Sequence, residues 1–174
     1  MKPDTRNLKH QPEIDLAYRF MRDGEESAVC DLVHRIFDVF VAPLYTKKGL
    51  ISFKKYADPE EMAQRVHLDH FVLLALIESE MVGMIEMSQF DHVSLLFIEL
   101  EHQGKGIGRD LLGLAVRFCL ANNPQLREIT VNSSPNAIDV YERMGFKPIG
   151  EEQSISGVRS VPMLKVLSEI RDKR

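Results

Sequence analysis

Between Gln103 and Arg109 the chain reads Gln-Gly-Lys-Gly-Ile-Gly-Arg. The stretch lies between an apolar run, His92–Leu100, and a leucine-rich segment from Arg109 to about Ala121. A strand passing to a helix through such a turn leaves several backbone N–H groups unpaired at the positive end of a helix dipole. An anion is the natural ligand for that place, and glycines without Cβ let a phosphate come close to the backbone. Groups able to accept a proton flank the turn. Glu99 stands at the end of the strand, Glu86, Asp91 and His92 lie upstream, and Glu128 lies on the next apolar segment. Further along is Tyr141, a phenol that stays protonated at neutral pH and can donate.

Spacing excludes two familiar phosphate loops. A dinucleotide fingerprint started at Gly104 needs its third glycine where Arg109 stands, and a P-loop needs Ser or Thr where Gly106 follows Lys105. What remains, Gln103-Gly104-Lys105-Gly106-Ile107-Gly108, resembles the Q/R-x-x-G-x-G/A acyl-CoA loop of the GNAT superfamily, the CoA-dependent N-acetyltransferases, with Gln103, Gly106 and Gly108 in the fixed positions. Ala137 to Phe146 is similar to that family's A-x-x-x-Y-x-x-x-G-F segment, with Tyr141 as its tyrosine and Gly145-Phe146 as its end. The resemblance covers roughly Phe71 to Lys165.

The resemblance implies a fold and a set of roles. The fold is α/β: three layers, α/β/α, around a mixed, mostly antiparallel sheet of six or seven strands whose fourth and fifth members splay. Acetyl-CoA is then the cosubstrate, its pyrophosphate held by the amides from Gly104 through Lys105, Gly106, Ile107 and Gly108 to Arg109, with Gln103 alongside. Pantetheine would dock on backbone groups near Phe97 and Ile98, where an N–H could also serve the thioester oxygen. Tyr141 becomes the acid that protonates the leaving thiolate, and Glu99 the base that takes a proton from the amine. Ser134 stands where the family often has an asparagine, and Asn136 lies beside it. The implied activity is acetyl transfer to a primary amine of a small molecule or peptide, by direct attack in a ternary complex. The alternative is an acyl-CoA-binding sensor or regulatory protein without catalysis.

The elements that must position these groups are legible in outline. Leu16 to Arg22 alternates as an edge strand, and Asp23 with Glu26 reads as a capping-box start for a helix. Its apolar face runs from Val29 to Phe40, and Pro43 closes it. Val41 to Ala57 mixes Tyr45, Phe53 and Tyr56 with four lysines. It reads as a surface connection or, by the resemblance, as a lid over the acceptor. Asp58-Pro59-Glu60-Glu61 starts a second helix that runs to about His67. Phe71–Ile77 and Val82–Gln89 form a hairpin, and His92–Leu100 continues the meander. Glu128–Asn132 follows the leucine-rich helix, so a parallel, right-handed crossover is required. Ser133-Ser134-Pro135 caps a short helix through Met144, and Gly150–Ser156 with Val158–Leu167 closes the chain as a hairpin.

Composition sets the class. The chain has 174 residues, 44% of them hydrophobic and 28% charged, which suits one globular domain over 15–167, with a tail at 1–14 and a charged end at 168–174. A net charge of −4 gives no basic footprint for nucleic acid. Neither a signal peptide nor an apolar run long enough for a bilayer is present, which points to the cytoplasm and away from a membrane. Cys30 and Cys119 fall in helical patterns as buried thiols, neither of them beside a base. The six histidines lack metal-ligand spacing, so no metal is expected. The closing hairpin leaves a homodimer open.

Overall fold

The computed structural model describes residues 15–167, so the expected tail and charged end lie outside the described residues. Eight strands and five α-helices follow in the order β1 Leu16–Phe20, α1 Glu26–Phe40, α2 Lys47–Tyr56, α3 Pro59–Val66, β2 His70–Ile77, β3 Glu80–Ser88, β4 His92–Ile98, α4 Ile107–Asn122, β5 Glu128–Ser133, α5 Ile138–Arg143, β6 Lys147–Pro148, β7 Gln153–Ile155 and β8 Val158–Val166. The sheet runs β1-β2-β3-β4-β5-β8-β6, with β7 paired to β8 on its own ladder. All pairings are antiparallel except β4–β5. β1 is the edge strand its alternation predicts.

The meander β2–β3–β4 is set by tight turns. Glu78 and Ser79 both take positive φ, as do Gln89 and Phe90. Two adjacent left-handed residues give the turn twist that matches paired antiparallel strands. One core lies between the sheet and α4 with α5, built on Ile85, Met87, Val93, Leu111, Ala115, Ile129 and Phe146. The other lies between the sheet and α1 with α3, built on Val33, Met62, Val72, Leu74, Met84 and Leu95. These are the three layers expected.

The helix starts depart in part from the sequence reading. Asp58 does cap α3, its Oδ1 accepting from the N–H groups of Glu60 and Glu61 at 2.9 and 3.2 Å. No capping box forms at α1: Glu25 occupies the N-cap, and its carboxylate accepts instead from the Arg22 amide at 2.8 Å and from the Arg19 guanidinium at 2.7 Å. Asp23 lies two residues before that N-cap and Glu26 is already the first helical residue, so the expected pair does not span the helix start. The 41–57 connection contains a helix, α2, capped by the Thr46 side chain, which accepts from the Gly49 amide at 3.1 Å. Its Phe53 stacks on Phe37 of α1 with ring centroids 3.6 Å apart. The far side of α2 meets the β7–β8 turn so closely that a Cβ on Gly49 would lie 2.2 Å from the Gly157 carbonyl oxygen.

Among the described residues no helix is long and apolar enough to cross a membrane. None of their His, Cys, Asp and Glu side chains gather into a group of three or more that could hold a metal ion.

Candidate active site

β4 and β5 pair as parallel neighbours at only two positions, His92 with Thr130 and Val93 with Val131. Beyond them β4 keeps its bonds to β3 as far as Ile98 opposite Gly83, while its other edge loses its partner. A cleft therefore opens between strands that point the same way, and backbone groups on the free edge are available to a ligand. A bulge helps to shape it. Ser94 is an extra residue in β4, opposite the step from Glu86 to Met87. Val93 accordingly faces the α4–α5 core, and Leu95 faces the α1–α3 core.

At the wide end of the cleft the expected glycine turn is built as drawn from the sequence. The strand stops at Ile98, and one short 3-10 turn, Leu100–His102, precedes Gln103. The Gln103 side chain reaches back, its Nε2 donating to the Ile98 carbonyl at 2.9 Å. Gly104 and Gly106 have φ of +72° and +87°, and a Cβ on either would meet nothing within 4 Å. Left-handed residues alternating with ordinary ones turn successive amides to one side, the concave arrangement that binds anions. α4 starts at Ile107, and its first bond runs from the Asp110 amide to the Gly106 carbonyl at 3.0 Å. The amides from Gly104 to Arg109 find no acceptor among the described residues. The Arg109 guanidinium ties this turn to α5 by donating to the Arg143 carbonyl at 3.1 Å.

Tyr141 comes from α5 and lies against the same core as Ile98, Ile107 and Val131. Its ring meets Phe146 edge-on at 5.4 Å, and the residue is 8% exposed. Burial alone pushes its phenol far above the ordinary tyrosine range, so the hydroxyl holds its proton at any physiological pH. Its hydroxyl bonds to no described residue and is not among the buried unpaired atoms, so it reaches solvent and is free to donate.

Glu99 sits at the tip of β4, with its amide bonded to the Val82 carbonyl at 2.8 Å. One carboxylate oxygen is held by Arg35 of α1 at 2.5 Å. Ser134 and Asn136 are also occupied within the chain. Ser134 Oγ donates to Asn136 Oδ1 at 2.7 Å, and Asn136 Nδ2 donates to the Phe40 carbonyl at the end of α1 at 2.6 Å. Ser134 is not the cap of α5, because that helix starts only at Ile138 and Ala137 holds the N-cap position without a side-chain bond. The structure thus places Phe97 and Ile98 on the free edge that leads to the glycine turn, seats Tyr141 in the core that Ile98 packs against, and makes Ser134 and Asn136 a tie from the β5–α5 loop to α1.

The rival proton acceptors separate clearly. Glu86 is fully buried and already satisfied: Arg65 Nε and Nη2 donate to it at 2.9 and 3.2 Å, and His70 Nδ1 lies 2.7 Å from Oε1. Burial opposes its charge, but those bonds outweigh burial and hold the carboxyl below its usual range. Arg65 also donates to the Tyr56 carbonyl at 2.7 Å and lies 3.7 Å above the Tyr56 ring, so this ionic cluster fixes the end of α2. Nothing in the spacing of Arg65, His70 and Glu86 discloses it; the one hint is a lone carboxylate between Ile85 and Met87 in an apolar run. Cys30 and Cys119 are free and buried, with thiols pushed up to about 12 and about 11 by burial, so neither is a nucleophile at neutral pH.

Residues 41–167 match the family model described as the acetyltransferase (GNAT) domain. No curated protein sequence matches the chain. Solved structures do. A GCN5-related N-acetyltransferase from Rhodopseudomonas palustris superposes with a TM-score of 0.74 at 19% identity, over 87% of this chain and 95% of that one. The PaiA N-acetyltransferase of Thermoplasma acidophilum, solved with coenzyme A, gives 0.73 at 18% identity, over 88% and 100%. A chimera of the Vibrio cholerae spermidine N-acetyltransferase SpeG and hSSAT gives 0.60 at 20% identity, over 87% and 95%.

Proposed function

This chain belongs to the GNAT acetyltransferase family, and from that membership we propose that it transfers an acetyl group from acetyl-CoA to a primary amine of a small molecule or peptide. The observation that carries the reading is a pair of unpaired backbone stretches at one end of the sheet, the free edge of β4 beyond Val93–Val131 and the amides of Gly104–Arg109. Pyrophosphate suits the glycine turn, and an extended pantetheine arm suits the free edge of β4 near Phe97 and Ile98. Tyr141, with its unspent proton beside the cleft, serves the leaving thiolate.

The step is direct. An acceptor ammonium loses a proton, and the free amine attacks the thioester carbonyl. The C–S bond breaks, and the thiolate takes the Tyr141 proton. Tyr141 regains a proton through water from the nitrogen, which has one to lose as the amide forms. Both cysteines hold their protons at neutral pH, which supports transfer without a covalent enzyme intermediate. Relatives of this fold include one named for spermidine and one holding coenzyme A, which agrees with an amine acceptor and a CoA donor. Glu99, paired with Arg35 at the mouth, is one candidate to accept the ammonium proton.

The test is thiol release from acetyl-CoA against a panel of primary amines, with isothermal titration of CoA alongside. Release that depends on an amine is expected. Tight CoA binding with no release for any amine refutes acetyl transfer and leaves an acyl-CoA-binding protein without catalysis.

A further inference from the structure

The two sides of the sheet meet the cleft with different chemistry. On the α4–α5 side β5 presents Ile129, Val131 and Ser133, all buried. On the other side it presents Glu128, Thr130 and Asn132, of which Glu128 and Asn132 are exposed. Registers carry this second face across the sheet, since His70, Ser88, His92 and Thr130 stand in one row. It is the face covered by α1 and α3 over β2 and β3, yet open and polar over β5. A thioester carried down the free edge of β4 stops where that edge closes, at Val93–Val131. His92 stands beside that point, and Ser94, the bulge residue, follows it.

His92 is built to be held and still reachable. Its Nδ1 lies 2.8 Å from Thr130 Oγ1, across the last pair of the parallel ladder. Its Nε2 is bonded to no described residue and is not among the buried orphan nitrogens, so solvent reaches it. With the ring proton on Nδ1, the hydroxyl fixes the ring plane and leaves a lone pair on Nε2.

Resting on the acetyl-transfer reading, we propose that His92 Nε2 accepts the proton of the acceptor ammonium at the closed end of the cleft, with Thr130 as the residue that positions it. The proton passes from the ammonium to Nε2 and on to solvent, while Tyr141 serves the thiolate from the opposite side of the sheet. Its charged and titratable surroundings suit a neutral base. Burial, the largest influence, sets the imidazole below its ordinary range; His70 of β2 pushes the same way, and Asp91 in the preceding turn opposes both. His70 is itself bonded to Glu86 of β3, with Asp69 3.6 Å from its Nε2 and Arg65 of α3 completing the cluster. The other candidate, Glu99, is farther along β4 and has one oxygen taken by Arg35.

The test joins spectroscopy and kinetics. In protein labelled with ¹⁵N-histidine, assigned by comparison with His92→Asn, the His92 ring at pH 7 should be neutral with its proton on Nδ1. His92→Asn keeps a donor near the place of Nδ1, so the fold and the CoA affinity should hold within about two-fold. With the amine turned over fastest in the panel, its kcat should fall by roughly 10²-fold. The wild-type kcat should lose activity on the acid side with a midpoint below about 6.5, and the variant should lack that limb. Thr130→Val should move the imidazole resonances and lower kcat less. A charged ring at pH 7, a proton on Nε2, or a His92→Asn enzyme with wild-type kcat overturns the assignment. So does an acid limb that disappears in Glu99→Gln and survives in His92→Asn. A wild-type protein that releases no thiol with any amine instead refutes acetyl transfer itself, and the assignment with it.

Discussion

Gly49→Ala should destabilise this protein although it improves the helix that carries it. Gly49 lies inside α2, where alanine is intrinsically favoured by about 1 kcal/mol. The added Cβ would lie 2.2 Å from the Gly157 carbonyl oxygen and 2.6 Å from its carbon. That is about 1.2 Å short of ordinary contact, which starts at 3.4 Å. The obstacle is backbone, and Gly157 has φ +81° in a two-residue turn, so it has little room to retreat. Overpacking of this kind costs ~1–3 kcal/mol, which exceeds the propensity gain in most of that range. A net loss of about 1 kcal/mol lowers Tm by roughly 2–4 °C in a chain of this size. The comparison is Gly113→Ala in α4, where a Cβ meets nothing within 4 Å and the helix gain of about 1 kcal/mol stands unopposed. Thermal melts of both variants under one buffer should therefore move in opposite directions. If α2 forms the lid over the acceptor that the family resemblance implies, Gly49→Ala should also raise the KM for the amine more than that for acetyl-CoA. If Gly49→Ala melts at or above the wild type, α2 is not seated on the β7–β8 turn, and the argument from close approach fails.

Three further outcomes are expected. Tyr141→Phe should lower kcat by roughly 10²-fold at pH 7 while CoA affinity stays within a few-fold, and the defect should shrink at alkaline pH, where a thiolate with pKa ~8.5 leaves unaided; an unchanged kcat makes Tyr141 a core residue only. Gly106→Val places a β-branched residue at φ +87° and a side chain where a phosphate would lie, so calorimetry should show CoA binding weakened at least ~10-fold, with a local strain cost of about 1–3 kcal/mol; wild-type affinity would put the cofactor elsewhere. Glu86→Gln should cost about 3–5 kcal/mol, since it leaves the half-buried Arg65 without its carboxylate. Because the Glu86 pKa is lowered by folding, its ionised form stabilises the fold above about pH 4.3, the unfolded value, and that contribution drains away as pH falls through the lower folded value; acid-titration melts should show a steeper loss in the wild type than in the variant.

Legibility followed the length scale of the cause. The glycine turn, the β2–β3 hairpin and the Asp58 cap depend on neighbours within a few residues, and their residue types declare them. The split of β4 from β5 was expected only from the family resemblance, because nothing in Leu95–Ile98 alone says that its outer edge lacks a partner. α2 looked like a connection because four lysines and Gly49 obscure Leu50, Phe53 and Ala57, which follow the Thr46 cap at helical spacing. The signal was there, but the reason for a glycine inside that helix lies over a hundred residues away at Gly157. The capping box expected from Asp23 and Glu26 fails because the helix starts at Glu26 with Glu25 at its N-cap, two residues beyond Asp23, where Arg19 of β1 pairs with it. The ionic cluster of Arg65, His70 and Glu86 joins α3, β2 and β3, and only the folded chain brings such charges together.

Ser94 carries a consequence for how this chain tolerates change. Through that one surplus residue the second half of β4 runs out of phase with the first, as text does after an inserted letter. Removing it would leave Val93 and Leu95 as ordinary strand neighbours on the sides they already occupy, opposite Met87 and Glu86, and Phe97 would keep its place 6.2 Å from the ring of Phe53. A residue inserted after it without a second bulge would instead send Leu95 and Phe97 to the α4–α5 side and Leu96 and Ile98 to the other. This stretch of β4 therefore absorbs the loss of one residue at Ser94 more readily than the gain of one.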